Sequence, residues 1–188
     1  MKKEVKKFGG VIRLLAMVMM FALTLTIANP MTVEAKTRKL KSFKSYSSET
    51  AFADSVANNI AKKTYNFKIK KKGYDARAYL RFTAPVSKTY TFTLSNLRAA
   101  NGRYACGFMQ VMKPMVTSPD NLDTLDVDTN VTKGITKGLY FASRKTKDKE
   151  FTTKRSASLY LEAGETAYIY INSSTAISKY VTFKFKVK

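Results

Sequence analysis

The sequence predicts an all-β protein: an antiparallel β-sandwich or jelly roll of about eight strands, preceded by a signal peptide and a short helix. Three observations predict it. From Thr64 onward, apolar residues recur at every second position with Thr, Ser and Lys between them, the pattern of strands with one buried and one wet face. These runs are short and are parted by turn residues at regular spacing, as in sandwiches. The runs are also rich in Thr and in the chain's 12 Phe and 11 Tyr, side chains that suit a pleated surface.

The elements follow in chain order. Residues 1–13 are basic, carrying Lys2, Lys3, Lys6, Lys7 and Arg13 against Glu4. Residues 14–28 are an unbroken run of apolar residues and Thr, then come Asn29 and Pro30, and Val33 and Ala35 stand three and one residues before an expected cut. A charged start, an apolar middle and a small-residue site make a secretory signal peptide, residues 1–35. A membrane span would need about 20 apolar residues, and this run is nearer 15. No wall-sorting signal or hydrophobic tail closes the chain, so the expectation is a secreted, extracellular protein without a transmembrane segment after cleavage, able to cling to the cell surface by charge. Cleavage leaves 29 basic and 11 acidic groups, a net charge of +18 on 153 residues. That is length enough for a core without disulfides.

Residues 36–46 follow, with five basic residues among the first nine and no acid; they read as a flexible basic arm. Residues 47–188 form the expected domain. Phe52, Val56 and Ile60 recur every four residues, which predicts a short helix over 47–63, with Ser48 as its cap and Glu49 in its first turn. From there the period is two. Tyr65, Phe67 and Ile69 share one face; Ala78, Leu80 and Phe82 the next; then Tyr90, Phe92 and Leu94. Residues 103–112 are more uniformly apolar and read as a strand buried on both faces. Residues 113–137 break the rhythm with two prolines and four aspartates. Short strands over 138–143 and 156–161, a Glu162-to-Glu165 turn with Gly164 at positive φ, and strands over 167–171 and 181–187 complete the pattern. Phe82, Tyr90, Phe92, Leu159, Ile169, Phe183 and Phe185 are expected in one core, and Met109, Met112 and Met115 as its gap fillers.

Two hairpins carry a family resemblance. Residues 80–94 read L-R-F-T-A-P-V-S-K-T-Y-T-F-T-L and resemble the F-T-A-P-x-S-G-x-Y-T-F hairpin of bacterial pre-peptidase C-terminal domains. Residues 161–171 resemble the later L-x-A-G-x-x-Y-Y-I hairpin of the same domains, and the closing strand fits as well. The resemblance covers residues 63–188 and implies a non-catalytic accessory or binding sandwich. Lys88 departs from it by standing where the family has Gly, and no catalytic unit accompanies the domain here.

Composition narrows the chemistry. There is no His and a single Cys, Cys106, which excludes Ser-His-Asp or Cys-His catalysis, imidazole metal sites, Cys zinc clusters and an intrachain disulfide. The acids lie mostly in turns and loops, while the strand positions that would brace a catalytic carboxylate pair hold Lys, Arg, Thr and Tyr; no enzyme is expected. Asp123, Asp126, Asp128 and Asn130 form the one candidate calcium site, because calcium takes clustered carboxylate and amide oxygens. Asp126-x-Asp128-x-Asn130 opens like an EF-hand loop, but the match fails at Val131 and Lys137. No other cofactor is implied.

The second candidate is a sheet face. Alternation turns Lys68, Lys70, Arg77, Arg81, Lys184 and Lys186 away from the core, with Tyr79, Tyr168 and Tyr170. With the first and last strands adjacent, as the resemblance implies, these make one basic surface with tyrosines, suited to an anionic envelope polymer or acidic polysaccharide. The alternative is a surface accessory protein whose partner is another protein, its charge serving only solubility.

Overall fold

The computed structural model describes residues 36–130, 135–174 and 178–188; the expected signal peptide lies outside them. In chain order the elements are β1 (Arg38–Lys39), α1 (Thr50–Val56), β2 (Asn58–Ile60), β3 (Thr64–Lys70), β4 (Asp75–Thr83), β5 (Lys88–Ala99), β6 (Cys106–Pro114), β7 (Leu122–Thr124), β8 (Val127–Thr129), β9 (Ile135–Thr136), β10 (Leu139–Ala142), β11 (Lys154–Leu161), β12 (Thr166–Ser174) and β13 (Tyr180–Val187). The eight expected strands are β3 to β6 and β10 to β13. The other five have two or three residues each and extend the sheets at their margins.

The strands form two sheets. One runs β1-β3-β13-β5-β11-β8-β9 and the other β10-β6-β12-β4-β2, with β7 paired to β6. The first and last long strands, β3 and β13, are antiparallel neighbours, with Phe67 opposite Phe183. Both sheets are mixed, which corrects the antiparallel expectation: β1 runs parallel to β3 and β2 parallel to β4. Each short strand comes before its partner with a long excursion between them, the kind of connection a parallel pair requires.

The core between the sheets has the expected alternation. Phe82, Tyr90, Phe92, Ile169, Phe183 and Phe185 are buried together, and Leu159 packs against them half-buried. Removing such side chains from water contributes about 1.5–3 kcal/mol each. Met109 and Met112 are buried on opposite faces of β6, but Met115 lies beyond it and is exposed. Gly107 is fixed by a close approach, because a Cβ there would lie 2.0 Å from the Asn172 carbonyl oxygen on β12.

Three expectations for the N-terminal part change. The supposed flexible arm is packed: Arg38 and Lys39 pair with Phe67 and Lys68, while Leu40 and Phe43 are buried. Its apolar residues outweigh its charge, because they reach two different apolar surfaces. The helix spans only Thr50–Val56. Asn58 to Ile60 pair with Leu80 to Phe82 instead, so Ile60 enters the main core as a strand residue. Ser48 is not the cap. The Glu49 N–H donates to Ser47 Oγ at 3.1 Å, and the Ser48 carbonyl accepts from the Leu122 N–H at 2.7 Å. A seven-residue helix is marginal alone; here Phe52, Ala53 and Val56 pin it to the outside of the six-stranded sheet.

A bulge reshapes β5. Tyr90, Phe92 and Leu94 face inward at even positions, then Leu97 and Ala99 at odd ones. Lys184 pairs with Ser95 and Thr182 with Arg98, so Asn96 and Leu97 together face the single residue Phe183. Asn96 takes φ 54°, a left-handed conformation that Asn tolerates better than most residues.

Candidate anion-binding groove

The bulge turns Asn96 and Arg98 to the outer face of the seven-stranded sheet, where both are exposed. Cross-strand rows are read from the pairings. One runs Asn66, Lys184, Ser95, Lys154; the next runs Thr64, Lys186, Thr93, Ser156; a third runs Lys68, Thr182, Arg98. Lys184 and Lys154 therefore flank Ser95 on strands two apart, about 10 Å across. A hollow of about 480 Å³ lies over the middle of these rows; its charged groups are Arg98, Lys154, Lys184 and Lys186, with Thr93, Ser95, Asn96, Leu97, Ser143 and Thr153 between them. Among the described residues no carboxylate lines it and none of the four cations is in an ion pair. Clustered cations interleaved with hydroxyl and amide groups supply both charge and hydrogen bonds for an anion.

The predicted basic face divides. Lys184 and Lys186 lie in the groove, while Lys68 and Lys70 lie beside it on β3. Lys68 holds its ammonium 3.5 Å from the centre of the Tyr180 ring. Arg77, Tyr79, Arg81, Tyr168 and Tyr170 sit on β4 and β12, in the other sheet. That sheet's outer face is not open. Residues 43–57 cover it, and Tyr79, Tyr168 and Tyr170 are buried with Phe43, Ala53, Met112 and Leu122. Phe43 stacks on Tyr79 at 5.4 Å, the Tyr79 hydroxyl donates to the Ser47 carbonyl at 2.9 Å, and the Tyr168 hydroxyl donates to Asp54 Oδ1 at 2.6 Å. Burial raises the pKa of Tyr79 and pushes Tyr168 and Tyr170 up to about 12, so all three stay neutral. Arg77 is held by Asp75 and the Lys44 carbonyl, and Arg81 lies 3.4 Å from Asp54. The three tyrosines are thus a second small core and no binding platform. Alternation correctly turned them from the main core but could not reveal that the preceding segment folds over them.

The acidic loop does not form a cage. Asp123 is on β7 in one sheet and Asp128 on β8 in the other. Both ends of the Asn130 amide are engaged by β11: its Oδ1 accepts from the Ser156 N–H at 2.7 Å, and its Nδ2 donates to the Lys154 carbonyl at 3.1 Å. Asp126 is exposed. Among the described residues no three His, Cys, Asp or Glu are grouped for a metal. Cys106 is half-buried, and burial raises its thiol's pKa.

Arg98 and Lys154 were missed by sequence reasoning. The signal was present for both: the shift of apolar residues from Leu94 to Leu97 marks the bulge, and the alternation of β11 extends back to Lys154.

No protein-family profile matches the chain, and no curated protein matches it. Among solved structures, it is similar to the pre-peptidase C-terminal domain of a collagenase from Bacillus anthracis, at 12% identity over 70% of this chain and 94% of that one, with a TM-score of 0.37. It is also similar to CorA, a surface-associated copper-binding protein of Methylomicrobium album BG8, at 7% identity over 70% of this chain and 98% of that one, with a TM-score of 0.36. The first is a domain of the family that the two hairpins resemble. At these TM-scores neither likeness bears on function, and the sandwich rests on the strand pairings themselves.

Proposed function

We propose that this chain is an exported, non-catalytic binding module that holds an anionic cell-envelope polymer in the groove on its seven-stranded sheet. The observation that carries the reading is the concave cluster of Arg98, Lys154, Lys184 and Lys186, four cations that have neither an ion pair nor a carboxylate among them within the described residues. Packing four like charges around one hollow is unfavourable unless counterions or an anionic ligand neutralise them. The strongly basic start, the apolar run and the small-residue site support export. Among the described residues no helix is long and apolar enough to cross a membrane. A non-catalytic role is supported by three acids that are engaged with neighbouring side chains, Asp75 with Arg77, Glu165 with Lys113, and Asp54 with Tyr168.

Retention on immobilised teichoic acid or on purified cell walls tests the proposal. Each phosphate contact adds about 0.7–0.9 to the slope of log affinity against log salt, a calibration taken from nucleic acids. The Lys184→Glu, Lys186→Glu variant is expected to elute at much lower salt with an unchanged circular dichroism spectrum, since both side chains are exposed. Wild-type protein that shows no salt-dependent retention would overturn the reading, and the charge would then serve solubility.

A further inference from the structure

A second hollow, of about 300 Å³, adjoins the groove. Its charged groups are Arg98, Arg103 and Arg144, with Tyr104 beside them. Leu97, Arg98 and Ser143 belong to both hollows. The two differ in chemistry. The first presents mainly ammonium groups and hydroxyls. The second presents guanidinium groups, one of them placed over the Tyr104 ring with its carbon 5.5 Å from the ring centre. Again, among the described residues no carboxylate lines the hollow and no ion pair engages Arg98, Arg103 or Arg144. Six cations thus border two joined hollows that have one arginine in common.

A small anion fills one hollow and leaves the cations of the other unneutralised. Two separate anions would compete for Arg98. Charges linked along one chain avoid both problems, because Arg98 can serve the stretch that passes between the hollows. Once the first charge is held, the next is presented to the second hollow at high effective concentration.

We propose that the two hollows act as a single cleft that takes at least two successive charged units of one linear polyanion, with Arg98 at the junction. The proposal rests on the polymer-binding reading above and adds a length requirement to it. The lysine-lined part holds one unit as a point charge, and the arginine-lined part holds the next through forked N–H donors.

The test is calorimetric titration of the mature protein with glycerol phosphate and with glycerol-phosphate oligomers of increasing length, at fixed low salt. Wild-type affinity is expected to rise about 100-fold or more, in a step, once an oligomer spans both hollows. The Arg103→Gln, Arg144→Gln variant is expected to lose that step, its affinity rising only in proportion to the number of charges on the oligomer. A rise merely proportional to the number of charges, or a step that survives in the variant, would overturn the two-part cleft and leave polymer binding standing. Failure of every oligomer to bind at this low salt would overturn both.

Discussion

Arg155 is the largest side chain among the fully buried ones, at 2% exposure, and its Nε and Nη1 have no hydrogen-bond partner. Burial lowers its pKa, an effect only partly opposed by Glu150. A buried cation that lacks full hydrogen bonding destabilises the fold, and an apolar replacement of similar length removes that penalty. Arg155→Met is therefore expected to raise stability by about 1 kcal/mol in urea unfolding; a loss of about 2 kcal/mol or more would show that the guanidinium is needed where it lies. Glu165 is the opposite case. Its carboxylate accepts from Lys113 Nζ at 2.8 Å and from the Glu162 N–H at 2.7 Å, and these bonds lower its pKa. A carboxylate with a depressed folded pKa stabilises the fold above the unfolded value, about 4.3, and that stability fades as pH falls toward the folded value. Lys113→Met is thus expected to flatten the acid limb of the stability–pH curve. An unchanged limb would mean that the pair is too solvated to matter.

The strands were the most legible elements, because a period of two survives every change of loop. Phe92 and Phe183 were placed in the core by alternation alone and are buried at 0% and 3%. Truncating either to Ala is expected to cost about 3–5 kcal/mol by chemical denaturation, and near-zero losses at both would contradict the packing. The helix was less legible. Ile60 keeps the four-residue spacing of Phe52 and Val56, yet it belongs to β2, because pairing with Phe82 offers it the main core. The site lay in the least legible feature, a bulge that flips the phase of β5 between Leu94 and Leu97. Its left-handed residue, Asn96, gives the bulge a direct test. Asn96→Gly is expected to leave stability nearly unchanged, whereas Asn96→Val puts a β-branched residue at positive φ, at a cost of about 1–3 kcal/mol. The valine variant should also lose salt-dependent retention, because Arg98 depends on the bulge for its outward aim. Equal stability of the two variants would show that the bulge is not under that constraint.

At the scale of the whole molecule the question is whether the proposed binding would come from a local groove or from the total charge. Residues 36–188 carry a net charge of +18, enough to draw any polyanion toward them at low salt. The Debye length shortens from about 30 Å at 0.01 M to about 8 Å at 0.15 M. A diffuse field therefore fades under physiological conditions, while a concave cluster in contact with its ligand keeps most of its effect. Two variants with the same change of charge separate these cases. Lys184→Glu, Lys186→Glu and Lys41→Glu, Lys44→Glu each lower the net charge of residues 36–188 from +18 to +14. The first pair is in the groove; the second is exposed on the segment that leads over the other sheet. In 0.01 M salt both variants are expected to associate with teichoic acid more slowly than wild type. In 0.15 M salt only the groove variant should lose retention, and the Lys41, Lys44 variant should elute close to wild type. Equal losses at 0.15 M would assign the binding to the overall field, and the arrangement around Arg98 would then have no part in it.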